Sequence, residues 1–311
     1  MIKTRTIFIG LGALIAGLLA YGSVSAPGKT ATPAAMKVED MESSSHEDLH
    51  IAPHKALYKI EMISKRSSAQ VLNIAGEMYF EWKPVCDAWE TTHRFNLNYE
   101  YADTAPMRIT SDFITYEGYK GDTFDFNSRR RRDGEMYEEL RGHAEMPGAK
   151  AAGKAAFTLP DDLEFDLPPG TLFPMAHTVN VLKAAREGKK FYTATIFDGS
   201  DDQGPAEVTA FIGKQVNALA RVKAGAAIDA ALINTPAWDV RLAFFPLLGG
   251  ETESDYEMNA IFHDNGVISD MVVDYKDFSV TQKLVALEEI KPETCDTPIP
   301  AKPPGKAPLR P

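Results

Sequence analysis

The sequence predicts an all-β, mainly antiparallel fold with one covering helix. Three observations carry that prediction. Apolar and polar residues alternate with period two through most of the middle of the chain, the pattern of strands with one buried face. The candidate strands are mostly joined by short turn-like segments, which suit antiparallel neighbours. One segment breaks the pattern with helical spacing and has its own start and stop signals.

In chain order, residues 1–25 read as an export signal. Lys3 and Arg5 supply a positive start, Thr6 to Tyr21 is apolar, and small residues follow at Gly22-Ser23-Val24-Ser25-Ala26. Pro27 disfavours cleavage after Ala26, so the cut is expected after Ser25. The apolar run is shorter than the roughly 20 residues of a spanning helix, and no cysteine stands nearby to carry a lipid anchor. Residues 26–50 form a tether of Pro, Ala, Ser, Glu and Asp with no apolar period. Residues 51–297 form a single structured domain, and residues 298–311 a Pro- and Lys-rich disordered tail.

Within the domain, Ala56, Tyr58, Ile60 and Met62 mark the inward face of a first strand, and Phe95, Leu97, Tyr99 and Tyr101 that of another. Tyr256, Met258, Ala260 and Phe262 do the same later. Asp264-Asn265-Gly266 then predicts a hairpin, since Asn-Gly suits the two positive φ angles of a type I′ turn. Further strands are expected near 71–82, 106–117, 122–131, 135–142, 190–197, 206–212, 237–247 and 278–290. The helix starts at Pro174, after the rigid Leu167-Pro168-Pro169-Gly170 approach, and Gly188 suits its C-terminal cap. Met175, Thr178, Val179, Val181, Leu182 and Ala185 form its apolar stripe. An Ala-rich stretch, Val216 to Ile233, reads as a second helix.

The chain of 311 residues carries a formal net charge of -11, or -13 without Lys3 and Arg5. Such a chain is repelled by phosphate backbones, so nucleic-acid binding is excluded. The one basic run, Arg129 to Arg132, lies close to Glu135, Glu138 and Glu139 and reads as a solvated strand edge paired with acids.

Little in the chain reads as catalytic, and no catalytic, cofactor-binding or metal-binding residue is expected. His46-Glu47-Asp48-Leu49-His50 matches the H-E-x-x-H pattern of zinc hydrolases, with His54 one spacing further on. That chemistry needs a rigid helix beside a cleft, whereas the motif lies in the tether and Pro53 precedes His54. Asp198-Gly199-Ser200-Asp201-Asp202 lacks the ligand order of an EF-hand and reads as a turn. His177 near the helix start has no nucleophile elbow to serve, and His93 and His263 lie in strands without ligand spacing. Glycine-rich phosphate loops are absent. Cys86 and Cys295, the only cysteines, should pair in an exported chain.

Several segments in order resemble one known family from His54 to Cys295. They are His54-Lys55-Ala56-Leu57-Tyr58, Gly76-Glu77-Met78 leading to Cys86 and Trp89-Glu90, Leu167 to Pro174 with His177, Phe197 to Asp202, and Asn265-Gly266-Val267 through Asp274-Tyr275 and Phe278 to Cys295. Together they resemble the EipB family of alphaproteobacterial cell-envelope integrity proteins. The resemblance implies a periplasmic, many-stranded open β-spiral or half-barrel with the two cysteines disulfide-bonded. It also implies a part in envelope integrity without known enzymatic activity, and a shape like that of periplasmic proteins that bind lipids or lipoproteins. The tether, the tail and the 216–233 stretch depart from the family pattern.

The expected function is therefore that of a non-enzymatic periplasmic protein that binds lipid, lipoprotein or a periplasmic protein partner on a curved sheet. Phe95, Tyr99, Phe113, Phe244 and Phe262 are candidates to line an apolar concave face, although ordinary core packing accounts for such residues as well. The competing readings are a zinc-dependent hydrolase using His46, Glu47 and His50, and a structural envelope protein without ligand.

Overall fold

In a computed structural model, residues 49–220, 227–247 and 253–291 are described. In these residues fourteen strands form one antiparallel sheet: β1 (His54–Lys65), β2 (Val71–Pro84), β3 (Ala88–Tyr101), β4 (Met107–Gly118), β5 (Thr123–Arg132), β6 (Glu135–Glu145), β7 (Gly153–Leu159), β8 (Glu164–Leu167), β9 (Phe191–Ile196), β10 (Ala206–Val216), β11 (Ala237–Pro246), β12 (Tyr256–His263), β13 (Ile268–Tyr275) and β14 (Phe278–Glu289). Helix α1 (Pro174–Arg186) lies between β8 and β9, and the single-turn α2 (Ala230–Ile233) precedes β11.

The spatial order is β8-β7-β6-β5-β4-β3-β2-β1-β14-β13-β12-β11-β10-β9. The sheet is thus two meanders joined where the first strand pairs with the last, His54 opposite Glu289. Its two edge strands, β8 and β9, are consecutive in the sequence, and the segment linking them bonds to the end of β9 through Leu172 and carries α1. The sheet stays open, as the family resemblance implied.

Period-two burial places one face of this curled sheet inside. In β1, Ala56, Tyr58 and Ile60 are buried while Lys59 and Glu61 face out. The larger core joins β1–β4, β10–β14 and the apolar stripe of α1. A second core, with Phe124, Phe126, Leu140, Phe157, Leu167, Phe173 and Phe197, fills the β4–β8 half. The segment after β9 ties the halves together. Phe197 packs on Phe126 at 5.7 Å between ring centroids, and the Arg130 guanidinium donates to the Ser200 carbonyl at 2.6 Å. Gly199 has φ +65°, and a Cβ there would overlap the Phe126 ring, so this crossing requires glycine.

The helix owes its position to a strand residue. Phe173, its N-cap, offers no side-chain hydrogen bond. Instead, the buried Glu117 at the end of β4 accepts from the backbone N–H groups of Met175 and Ala176, at 2.7 and 2.8 Å. Two of the orphan donors of the first turn are thereby satisfied from across the fold. At the other end Gly188 (φ +73°) closes a Schellman motif, with Gly188 N–H donating to the Ala185 carbonyl and Lys189 N–H to the Ala184 carbonyl.

The structure corrects four expectations. Of residues 216–233, 221–226 lie outside the described residues, and the described ones form no long helix. β10 runs to Val216, a 3-10 turn covers Ala218–Ala220, and among the described residues of this stretch Ala230–Ile233 is α-helical, with Asp229 as its cap. Alanine's helix propensity is a weak prior, and backbone hydrogen bonds of Ala227 and Asp229 with Leu287 of β14 override it at the described end. The Arg129–Arg132 run is not an edge. β5 lies between β4 and β6, Arg130 points inward and is 3% exposed beside Glu138, and Arg129 pairs with Glu139 on the outer face. The hairpin at 264–266 exists, but its turn is not type I′. Gly266 has φ +87° while Asn265 does not have a positive φ. Gly266 N–H donates to the His263 carbonyl, giving a type I turn with a left-handed glycine after it. Finally, β7 and β8 were not expected from the pattern: β7 reads Gly-Lys-Ala-Ala-Phe-Thr-Leu, with too little contrast between faces.

Candidate functional site

The inward face is not filled everywhere. Between α1 and the middle of the sheet lies a half-open cleft of about 50 Å³ measured to the centre of a water-sized sphere, room for a handful of waters. β1 contributes His54 and Tyr58, β2 Met78, Phe80 and Trp82, and β3 Thr91 and His93. α1 closes it with Pro174, Met175 and Thr178, and β12, β13 and their turn add Phe262, Gly266, Ile268 and Met271. Strand alternation explains the grouping: residues 78, 80 and 82 share one side of β2, and 54 and 58 one side of β1.

The walls are apolar and contain no charged side chain. Three methionines make them deformable, because an unbranched thioether chain repacks at little cost. α1, which roofs the cleft, is fixed at its start by Glu117 and at its end by Arg186, whose guanidinium donates to Asp264 at 2.8 Å.

The polar atoms of the cleft have specific settings. His54 is fully buried, its Nδ1 lies 2.7 Å from the Ala52 carbonyl, and its Nε2 has no partner among the described residues. Burial, against that one backbone bond, lowers its pKa to about 4. Trp82 sits directly opposite His54 in the β1–β2 register, and its Nε1 also has no partner among the described residues. His93 stacks on Phe80 with ring centroids 5.0 Å apart, and burial lowers its pKa to about 4 too. All these rings are therefore neutral at pH 7.

Glu117 at the end of β4 shows the opposite shift. Burial pushes its carboxyl up to about 8, although the two helix N–H bonds pull it down. A second recess, lined by Asp198, Asp201, Asp255, Phe244 and Pro246 among others, lies near the β9–β10 junction. Burial and then the neighbouring Asp198 hold Asp201 well above the usual carboxylate range. Asp198 and Asp201 accept from the backbone N–H groups of Ser200 and Gln203, so this segment is a pair of local turns. Among the described residues no group of three or more His, Cys, Asp or Glu is placed to hold a metal ion.

The five aromatic candidates are all buried, but they do not share one site. Phe262 lines the cleft and Phe244 the acidic recess. Phe95 and Tyr99 belong to the larger core and Phe113 to the smaller. His177 is buried against Tyr192. His263 is buried, with its two ring nitrogens bonded to Ser269, at 2.9 Å, and Thr235, at 3.2 Å, and it does not line the cleft. Of the H-E-x-x-H motif, His46 and Glu47 lie outside the described residues, and His50 is exposed. Cys86 stands in the β2–β3 turn, and Cys295 lies outside the described residues.

Sequence reasoning missed His54, Trp82 and Glu117 as site residues. One signal was available for Glu117. It follows Phe113 and Thr115 with period two, so it is a carboxylate at an inward position.

A sequence profile described as EipB-like matches residues 45–291. The chain is 28% identical over 253 residues to a protein of Brucella abortus named cell envelope integrity protein EipB, spanning 79% of this chain and 87% of that one. A crystal structure from the same organism, described as a beta-barrel-like protein of a domain of unknown function, superposes with a TM-score of 0.70 at 25% identity. It covers 78% of this chain and all of the other.

Proposed function

This chain belongs to the EipB-like family, and on that premise we propose that it is an exported, non-enzymatic periplasmic protein that supports cell-envelope integrity by holding an apolar ligand under α1. The ligand is a lipid or the lipid part of a lipoprotein. The observation that carries this reading is the half-open apolar cleft on the inward side of the sheet, roofed by a helix and walled by Met78, Met175 and Met271. Apolar walls with a few polar atoms are the common form of a small-ligand site, and the methionines let an acyl chain widen a cleft that is small as it stands. The envelope role rests on the relative named for it. The export signal at residues 1–25 fits the same compartment, and among the described residues no helix is long and apolar enough to cross a membrane.

The Cys86–Cys295 disulfide belongs to this proposal, and the strand geometry supports it. Ile290 N–H donates to the Pro53 carbonyl, so the end of β14 lies beside the start of β1. Cys86 follows β2, whose Trp82 pairs with His54. Crossing from β14 to β2 takes two strand spacings, about 10 Å, and the five residues from Ile290 to Cys295 can span up to ~17 Å.

Native mass spectrometry of the mature protein purified from the periplasm, followed by lipid extraction, tests the reading. A discrete copurifying lipid mass that is lost on denaturation is expected, on a polypeptide two hydrogens below the reduced mass. A clean unliganded mass that also fails to take up added lipid would overturn the carrier reading in favour of a protein partner.

A further inference from the structure

We propose that the cleft under α1 selects an uncharged amphiphile whose head is a single hydroxyl, held between His54 Nε2 and Trp82 Nε1. This rests on the cleft being a ligand site, as proposed above, and adds the chemistry of the ligand's head.

The backbone fixes the His54 tautomer. Its Nδ1 lies 2.7 Å from the Ala52 carbonyl, which only accepts, so Nδ1 carries the hydrogen. Nε2 is then a lone-pair acceptor, in a ring that burial keeps neutral. The Trp82 indole N–H is a donor only. The two residues stand opposite each other across β1 and β2, with ring centroids 6.1 Å apart.

Among the polar groups of the wall, which also include Thr91, His93 and Thr178, His54 Nε2 and Trp82 Nε1 are an acceptor and a donor that are both buried and without a partner among the described residues. Buried polar groups are rarely left so, because the penalty for desolvation is not recovered. A hydroxyl donates once and accepts at the same oxygen, so it satisfies both. An ether oxygen can only accept and leaves Nε2 unpaired. A phosphate or carboxylate head fares worse, because no Lys or Arg lines the cleft to balance its charge. Beyond this pair the cleft is lined by Tyr58, Met78, Phe80, Met175 and Phe262, which suit an alkyl body. The class that fits is a neutral lipid with a free hydroxyl, as in a partial glyceride, and not a phospholipid.

The test uses the mature protein, delipidated and refolded, and three probes with the same eight-carbon chain: n-octanol, octyl methyl ether and octyl phosphate. Each is titrated while the Trp82 indole ¹H–¹⁵N cross-peak is followed, assigned by its absence in Trp82→Phe. Octanol is expected to move that peak and to bind at least tenfold more tightly than the ether, with octyl phosphate weaker still. Trp82→Phe should narrow the octanol-to-ether ratio to under threefold, read on the Met78 and Met175 methyl signals. Equal binding of octanol and ether would overturn the hydroxyl selection while leaving an apolar ligand site in place. Tightest binding by octyl phosphate would overturn the neutral head. No shift with any probe would show a cleft filled by water alone and would remove the site itself.

Discussion

Acidification from pH 6.5 to pH 5 is expected to destabilise this protein, through histidines that are buried neutral. His54, His93, His177 and His263 each have a pKa lowered to about 4, chiefly by desolvation, against about 6.5 in an unfolded chain. A base whose folded pKa is depressed contributes stability that is present above the unfolded value and is lost as pH falls toward the folded one. Between about pH 6.5 and 4 the unfolded chain therefore holds up to four more protons at these sites. Two buried carboxyls oppose this. Glu117, raised to about 8, and Asp201, raised well above its usual range, each keep a proton in the folded state where the unfolded chain has begun to lose it. The net difference is near zero at pH 6.5, where the unfolded histidines are half protonated, and approaches about two protons near pH 5, a slope of up to about 2.7 kcal/mol per pH unit there. From pH 6.5 to 5 the loss sums to about 2–3 kcal/mol of the 5–15 kcal/mol typical of a folded domain. Urea unfolding at pH 6.5, 6.0, 5.5 and 5.0 reads the slope directly. His93→Phe is the decisive variant, because His93 sits among Phe80, Phe95 and Phe113. It should fold at pH 7 and lower the slope by about one proton, to about 1.4 kcal/mol per unit. A flat stability across this range, or a His93→Phe slope equal to the wild-type one, would refute the reasoning.

The remaining predictions concern the closures of the fold. Gly199→Ala should cost about 2–4 kcal/mol, from a left-handed φ and an overlap with Phe126; a melting temperature within 1 °C of wild type would contradict this. Glu117→Ala should cost about 1–3 kcal/mol by stripping two N–H partners from the first turn of α1, with amide exchange rising at Met175 and Ala176 before the sheet strands. Cys86→Ser should expose one reactive thiol at Cys295 and lower stability by up to ~5 kcal/mol, the chain-entropy limit for a closed loop of about 210 residues; a wild-type protein that binds a thiol label without prior reduction would speak against the bond.

The strands were largely legible because their burial is one-sided. Residues 56–62, 95–101 and 256–262 alternate cleanly, and each became a strand with the expected inward face. Legibility fails where the contrast fades. β7 has two alanines at its centre, and Val216 to Ile233 has alanines that fit either backbone. The site was harder to see because its residues look like core. His54 and Trp82 lie 28 positions apart and meet only through the β1–β2 register, which no local pattern encodes. The aromatic candidates were chosen for size and alternation. That finds the inward face but cannot tell where the inward face is left unfilled.

The pairing of β1 with β14 also decides how this molecule bears tension. The start of the first strand, His54, and the end of the last, Glu289, face each other across one ladder. A pull that separates them opens that ladder from its end, bond after bond, as a zipper parts, whereas ends at opposite extremities would load many bonds at once in shear. Zippered ladders yield at low force. A protein built this way is a poor strut between two layers of an envelope, and better suited to hang from both ends at one seam.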